Sequence, residues 1–81
     1  MDKIKKVNLE KGYYLFKLEQ LLADKGISKN KLTKDTNTDF MVMQRIAKGE
    51  MVRIDLSVLA RFCDYLECGI IDIIEYIRLD K

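Results

Sequence analysis

No proline interrupts this chain, and four glycines, Gly12, Gly26, Gly49 and Gly69, divide it into stretches whose apolar residues mostly recur at three- and four-residue spacing. Glycine is the usual residue just past a helix C-terminus, because it enters the left-handed backbone region without a Cβ penalty. The punctuation therefore predicts short helices with tight connections. Leu15, Leu18, Leu21 and Leu22 predict an amphipathic helix over residues 14–25, ending at Gly26. Ser28 is a good N-cap for a second helix through about Asp35, with Leu32 as its buried anchor. Thr36-Asn37-Thr38 is turn chemistry, since Asn37 tolerates a left-handed conformation better than most residues. Asp39, or Thr38, caps a third helix that buries Met43 and Ile46 and stops at Gly49. Asp55 caps a fourth, whose Leu56, Leu59, Ala60, Phe62, Cys63 and Leu66 form one broad stripe before Gly69.

The two ends are less determined. Ile70, Ile71, Ile73, Ile74 and Ile77 suit a closing helix with Asp72 and Glu75 outward, and isoleucine clusters equally suit a strand. Ile4, Val7 and Leu9 are compatible with a short strand, a helix extension or an arm, and neither Gly12 nor the pair Tyr13-Tyr14 decides between them. The expected fold class is all-α, a bundle of four or five short helices. Residues 1–13 would form an N-terminal arm or extension, and residues 14–81 a single domain.

Length and composition then restrict the chemistry. A chain of 81 residues is one small domain, and folding buries only about 60–65% of its unfolded surface. A large walled substrate pocket is not expected. The longest apolar runs are a few residues, so no membrane-spanning helix is expected, and the charged opening Met1-Asp2-Lys3-Ile4-Lys5-Lys6 does not read as a signal peptide. Histidine is absent, which removes the commonest general base and the commonest zinc ligand. Cys63 and Cys68 are neither a CxxC nor half of a four-ligand metal site. On one helix they would point roughly 140° apart, as two structural thiols of a reducing cytoplasm. The connections are too short to carry an active site. No catalytic residue, metal or cofactor is expected, and carboxylates such as Glu19 and Asp72 read as surface charges.

Charge is unevenly spread. Residues 1–53 carry 12 Lys/Arg against 7 Asp/Glu, and residues 54–81 carry 3 against 6. A basic part joined to an acidic part suggests an anionic partner on one side. Equally, a lysine-rich surface keeps a domain soluble, and the pI near 8.5 falls short of a strongly basic nucleic-acid binder. The layout adds what charge does not. Two short helices, a three-residue turn and a third element ending at Gly49 have the dimensions of a helix-turn-helix, whose second helix can lie in the DNA major groove.

The residues themselves are familiar. Leu21-Leu22-Ala23-Asp24-Lys25-Gly26-Ile27-Ser28-Lys29-Asn30-Lys31-Leu32 resembles the opening of the Cro/cI-type (XRE) helix-turn-helix family. Arg45-Ile46-Ala47-Lys48-Gly49-Glu50 resembles the end of its recognition helix, and Asp55-Leu56-Ser57-Val58-Leu59-Ala60-Arg61-Phe62-Cys63-Asp64-Tyr65-Leu66 the helix that follows. Leu66-Glu67-Cys68-Gly69-Ile70-Ile71-Asp72-Ile73-Ile74 looks like its usual close. The resemblance covers roughly residues 15–76. It implies a lambda-repressor-like bundle of five short helices, of bacterial or phage type, that binds double-stranded operator DNA as a homodimer in the cytoplasm. Departures are Lys29 where glutamine is common, Thr33 where alanine is, Asn37 for the turn glycine, and Thr38 for the apolar residue after it. Asn37 and Lys29 are tolerable at those positions. Thr33 and Thr38 each place a hydroxyl near the helix-helix contact and need a hydrogen-bond partner.

Carried over position by position, the resemblance implies that Phe40, Met41, Gln44 and Arg45 face the bases, with Asp39 at the helix start. Arg45 can bridge guanine O6 and N7, and Gln44 can pair with adenine N6 and N7. Phe40 and Met41 cannot hydrogen-bond to a base. They are suited to thymine methyls, to a protein partner, or to cover by residues 1–13. Lys29, Lys31, Lys34, Lys48 and Arg53 are candidates for phosphate contacts, with solvated lysines as the alternative. Asp39 and Glu50 would repel phosphate. The expected function is a sequence-specific transcriptional regulator reading a palindromic operator through helix 39–48. Its dimer surface would come from residues 70–79, or from Tyr65 and Tyr76. The alternatives are a protein-interaction module using the Phe40/Met41 surface, and an antitoxin- or immunity-type regulator that combines DNA with a protein partner.

Overall fold

The run Gly12-Tyr13-Tyr14-Leu15-Phe16 is a strand, and the first helix begins only after Lys17. Four successive residues here, Tyr13 to Phe16, are aromatic or large and apolar on both faces, which suits a pleated sheet paired on both edges. The helical spacing from Leu15 to Leu18 is a coincidence across an element boundary. A computed structural model describes residues 3–50 and 53–79 of the chain; Met1 and Asp2, the start of the expected arm, and Asp80 and Lys81 lie outside the described residues. Strand β1 (Lys5–Asn8) pairs antiparallel with β2 (Gly12–Phe16), which pairs antiparallel with β3 (Ile74–Arg78), giving the order β1-β2-β3. Between β2 and β3 lie α1 (Leu18–Lys25), α2 (Lys29–Thr36), α3 (Phe40–Lys48), α4 (Leu56–Leu66) and a 3-10 turn at Ile70–Asp72.

The fold class is therefore mixed α/β, and the expectation of an all-α bundle is overturned by the three-stranded sheet. The isoleucine-rich end closes the fold as one 3-10 turn and a strand instead of a fifth helix. β2 sits in the middle because its two neighbours come from opposite ends of the chain: Phe16 faces Lys5 on one side and Ile74 on the other. Lys17 reinforces this closure. Its backbone N–H donates to the Ile73 carbonyl at 2.7 Å, and its ammonium pairs with Glu75 at 2.8 Å.

The helix limits follow local chemistry. Ser28 Oγ accepts from the Lys31 N–H, Asp39 Oδ1 from the Met41 N–H, and Asp55 Oδ1 from the N–H groups of Ser57 and Val58, satisfying donors that a helix start leaves open. Gly26, Asn37 and Gly49 turn left-handed after α1, α2 and α3. After α4 the left-handed residue is Glu67, at φ 53°, and Gly69 instead starts the 3-10 turn at φ −93°. That reversal also corrects the expected geometry of the cysteines. Cys68 lies past the helix end, and its N–H donates to the Cys63 carbonyl at 3.0 Å. The half-buried thiols are neighbours, and burial with Cys63 alongside pushes the Cys68 thiol up to about 11.

One apolar core joins both layers. Leu18 and Leu22 of α1, Leu32 of α2, Met43, Ile46 and Ala47 of α3, and Val58, Leu59, Phe62 and Leu66 of α4 pack with Phe16, Ile73 and Ile74. The sheet meets α3 at Gly49, where an added Cβ would lie 2.9 Å from the Phe16 ring and 3.1 Å from Val7. Gly12 is a second close approach: a Cβ there would stand 2.3 Å from the Ile77 carbonyl oxygen, under the Tyr76 ring. Among the described residues, no helix is long and apolar enough to cross a membrane.

Candidate nucleic-acid interface

Three threonines and one arginine hold the turn between α2 and α3. Thr33 Oγ1 donates back to the carbonyls of Lys29 and Asn30, and Thr36 Oγ1 to that of Leu32. Thr36 and Thr38 share a hydroxyl–hydroxyl bond of 2.9 Å. Arg61 of α4 donates from Nε to the Thr36 carbonyl at 2.9 Å and from Nη2 to Thr38 Oγ1 at 3.3 Å. The hydroxyls that depart from an apolar turn thus have their partners, and α4 clamps the angle between the two helices. No sequence signal singled out Arg61 for this work, because it needs α4 to lie across the turn.

That angle exposes one face of α3. At about 100° per residue, Phe40, Met41, Gln44, Arg45 and Lys48 fall within an arc of roughly 140°, opposite the buried Met43, Ile46 and Ala47. The structure brings these candidates together. Phe40 is 42% and Met41 60% exposed, so the described residues 3–13 do not cover them. That segment goes into the sheet instead, with Val7 against Gly49 at the other end of α3. Asp39 is exposed, and its carboxylate is engaged in capping the helix.

Gln44 and Lys29 are not independent. The Lys29 ammonium, at the start of α2, donates to Gln44 Oε1 at 3.0 Å and to Glu19 Oε2 of α1. A reader on α3 is therefore linked through a lysine on α2 to a carboxylate on α1. Gln44 keeps its amide N–H₂ for other contacts, while its oxygen must leave Lys29 to accept from adenine. Among the other basic candidates, Lys31 pairs with Asp35 one turn on, at 3.0 Å, and Asp35 also accepts from the Tyr65 hydroxyl. Lys34, Lys48 and Arg53 are exposed. Lys48 and Arg45 sit in the last turn of α3, where positive charge suits the helix dipole.

Glu19, read from sequence as a surface charge, is the unforeseen member of this face. The hydrogen bond from Lys29 holds its carboxyl below the ordinary range; burial opposes this, and the charges of Lys29, Lys5 and Lys48 add to the lowering. A depressed carboxylate stabilises the fold above its unfolded pKa of about 4.3, and that contribution is lost as pH falls through the folded value. Glu19→Gln is accordingly expected to be less stable than wild type in urea at pH 6. The gap should close as the pH is lowered towards 3. A gap that persists unchanged at pH 3 would place the effect in packing instead of charge.

Comparison with known proteins bears on this geometry. A family model described as a Cro/C1-type HTH DNA-binding domain matches residues 17–78, from the residue before α1 to the end of β3. Neither the curated proteins nor the solved structures give a match.

Proposed function

The chain belongs to the Cro/C1-type helix-turn-helix DNA-binding family, and from that premise we propose that it is a transcriptional regulator that reads a specific operator in the major groove through α3. The observation that carries this reading is the stripe of exposed Phe40, Met41, Arg45 and Lys48 with half-buried Gln44 among them, set out from the body by the clamped turn. Arg45 recognises guanine through a bidentate contact, Gln44 addresses adenine, and Phe40 and Met41 meet thymine methyls. Lys29, Lys31, Lys34, Lys48 and Arg53 grip the backbone and give affinity without sequence information. Asp39 orients the helix at its start. The protein acts as a homodimer on a palindrome, because one small module buries too little DNA for high specificity and a twofold axis reads two half-sites about one helical turn apart. Ile70, Ile71, Tyr76 and Leu79 supply exposed apolar surface for the second copy. The working location is the cytoplasm, on the nucleoid.

Selection from a randomised duplex pool tests the reading. Wild type is expected to return a palindromic consensus. Arg45→Ala should relax one guanine position per half-site at a cost of about 1–3 kcal/mol, and Phe40→Ala should relax a thymine. A sequence-blind result at low salt would oppose operator reading. It would favour the second reading that the exposed Phe40 and Met41 support: a protein-interaction or antitoxin-like regulator, whose binding through an apolar contact would barely respond to salt.

A further inference from the structure

Resting on the DNA-binding reading above, we propose that Lys3 and Lys5 of the N-terminal segment join Lys29 and Lys48 in a phosphate-binding site that the Glu19 carboxylate occupies while the protein is free. The site is built from three directions. Glu19 stands in the first turn of α1 with its side chain only 19% exposed, and Lys29 reaches it from α2. Lys3, Glu19 and Lys29 line one shallow cleft, floored by Leu22, Ala23 and Ile27. β1 runs past the end of α3, since Val7 packs against Gly49, and Lys5, two residues earlier, lies opposite Phe16 where the sheet meets the helices. The charges of Lys5 and Lys48 both act on Glu19.

Glu19 is therefore bonded to Lys29, shares its cleft with Lys3, and lies within reach of the charges of Lys5 and Lys48. The local charge is strongly positive, and a carboxylate presents two oxygens much as a phosphodiester does. Lys48 belongs both to this cluster and to the exposed stripe of α3, and Lys29 is bonded to Gln44 of that stripe. A duplex seated on α3 brings its backbone to the same place. Phosphate then replaces Glu19 as the partner of Lys29, and the released lysine leaves Gln44 Oε1 open to a base. Lys3 and Lys5 precede the residues that match the family, so the strand extends the footprint beyond the helix-turn-helix.

The test measures affinity for a random-sequence duplex by fluorescence anisotropy between about 50 and 200 mM salt. The double substitution Lys3→Ala/Lys5→Ala is expected to flatten the slope of log K against log salt by about 2, because each phosphate contact contributes about 0.9. Lys11→Ala, which removes one charge at the far end of the hairpin, should leave the slope as it is. Glu19→Gln is expected to bind severalfold tighter, because Lys29 no longer has to leave a carboxylate before it meets a phosphate. A wild-type slope in the double variant together with wild-type affinity in Glu19→Gln would overturn the site while leaving DNA binding intact. Flattening by about 1 in Lys11→Ala, the same per charge removed as in the double variant, would reduce it to general charge. Failure of the wild type to bind DNA at any salt would overturn the underlying reading, and the site with it.

Discussion

Phe62→Ala is expected to cost about 3–5 kcal/mol, the usual range for emptying a buried aromatic site. The ring is fully buried in the middle of α4, within the core that also contains residues of the other three helices and of the sheet. The loss has two parts: transfer of the ring's apolar surface, and the cavity left where neighbours relax only partly. A domain of this size has on the order of 5 kcal/mol in hand, so the variant should be partly unfolded at room temperature. Its melting midpoint should fall by roughly 15–30 °C. Leu56→Ala on the same helix is the matched control. Leu56 is 77% exposed, and its loss should change stability by no more than about 0.5 kcal/mol. Thermal melts of the two variants, followed by helical circular dichroism, check both values. A Phe62→Ala loss below about 1 kcal/mol would mean that the core is not packed as described.

The second large effect is expected at Gly12. Its replacement by alanine inserts a methyl 2.3 Å from the Ile77 carbonyl oxygen and 2.5 Å from the Tyr76 hydroxyl. The tyrosine end can swing aside, but a backbone carbonyl in a paired strand cannot do so without opening the pairing. Gly12 lies opposite Arg78 in that register, so the outer half of β3 should detach while Ile74 stays anchored on Phe16. The expected loss is about 2–3 kcal/mol, as for other overpacked sites. Amide hydrogen exchange should show the N–H groups near Tyr76–Arg78 losing protection while those of α4 keep theirs. Uniform loss of protection would contradict a local opening.

These two positions also mark the boundary of what the sequence discloses. Phe62 is legible because helical spacing places it on the buried stripe of α4. The caps at Ser28, Asp39 and Asp55 and the left-handed turns at Gly26, Asn37 and Gly49 are legible for a related reason: each is settled within a few residues of chain. Gly12 is not legible, since its neighbours are Tyr76 and Ile77, which only the completed sheet brings near. The sheet is legible only in part: a strand is one open alternative for residues 4–9 and for the isoleucine-rich end, where β1 and β3 form, but β2 and the pairing are not visible. Leu15 falls in helical step with Leu18, and Leu9-Glu10-Lys11 carries none of the Asn-Gly or Asp-Gly turn chemistry that announces a hairpin. For the candidate interface the same division holds. The stripe on α3 follows from its own spacing, whereas the link from Glu19 through Lys29 to Gln44 requires the mutual placement of three helices. Arg61 escaped notice because its partners, Thr36 and Thr38, belong to a turn more than twenty residues away.

The central position of β2 has a consequence for how the protein is made. Its partner strand β3 is the last regular element among the described residues, and everything that forms the helix-turn-helix is translated between the two. While the polypeptide is leaving the ribosome, α1 to α4 can settle on one another. Phe16, however, waits for Ile74, and Lys17 for the Ile73 carbonyl and Glu75. Contacts so distant in sequence close late. A nascent chain halted before residue 74 would therefore present an open strand edge and an uncovered aromatic, the kind of surface that chaperones bind and that promotes aggregation.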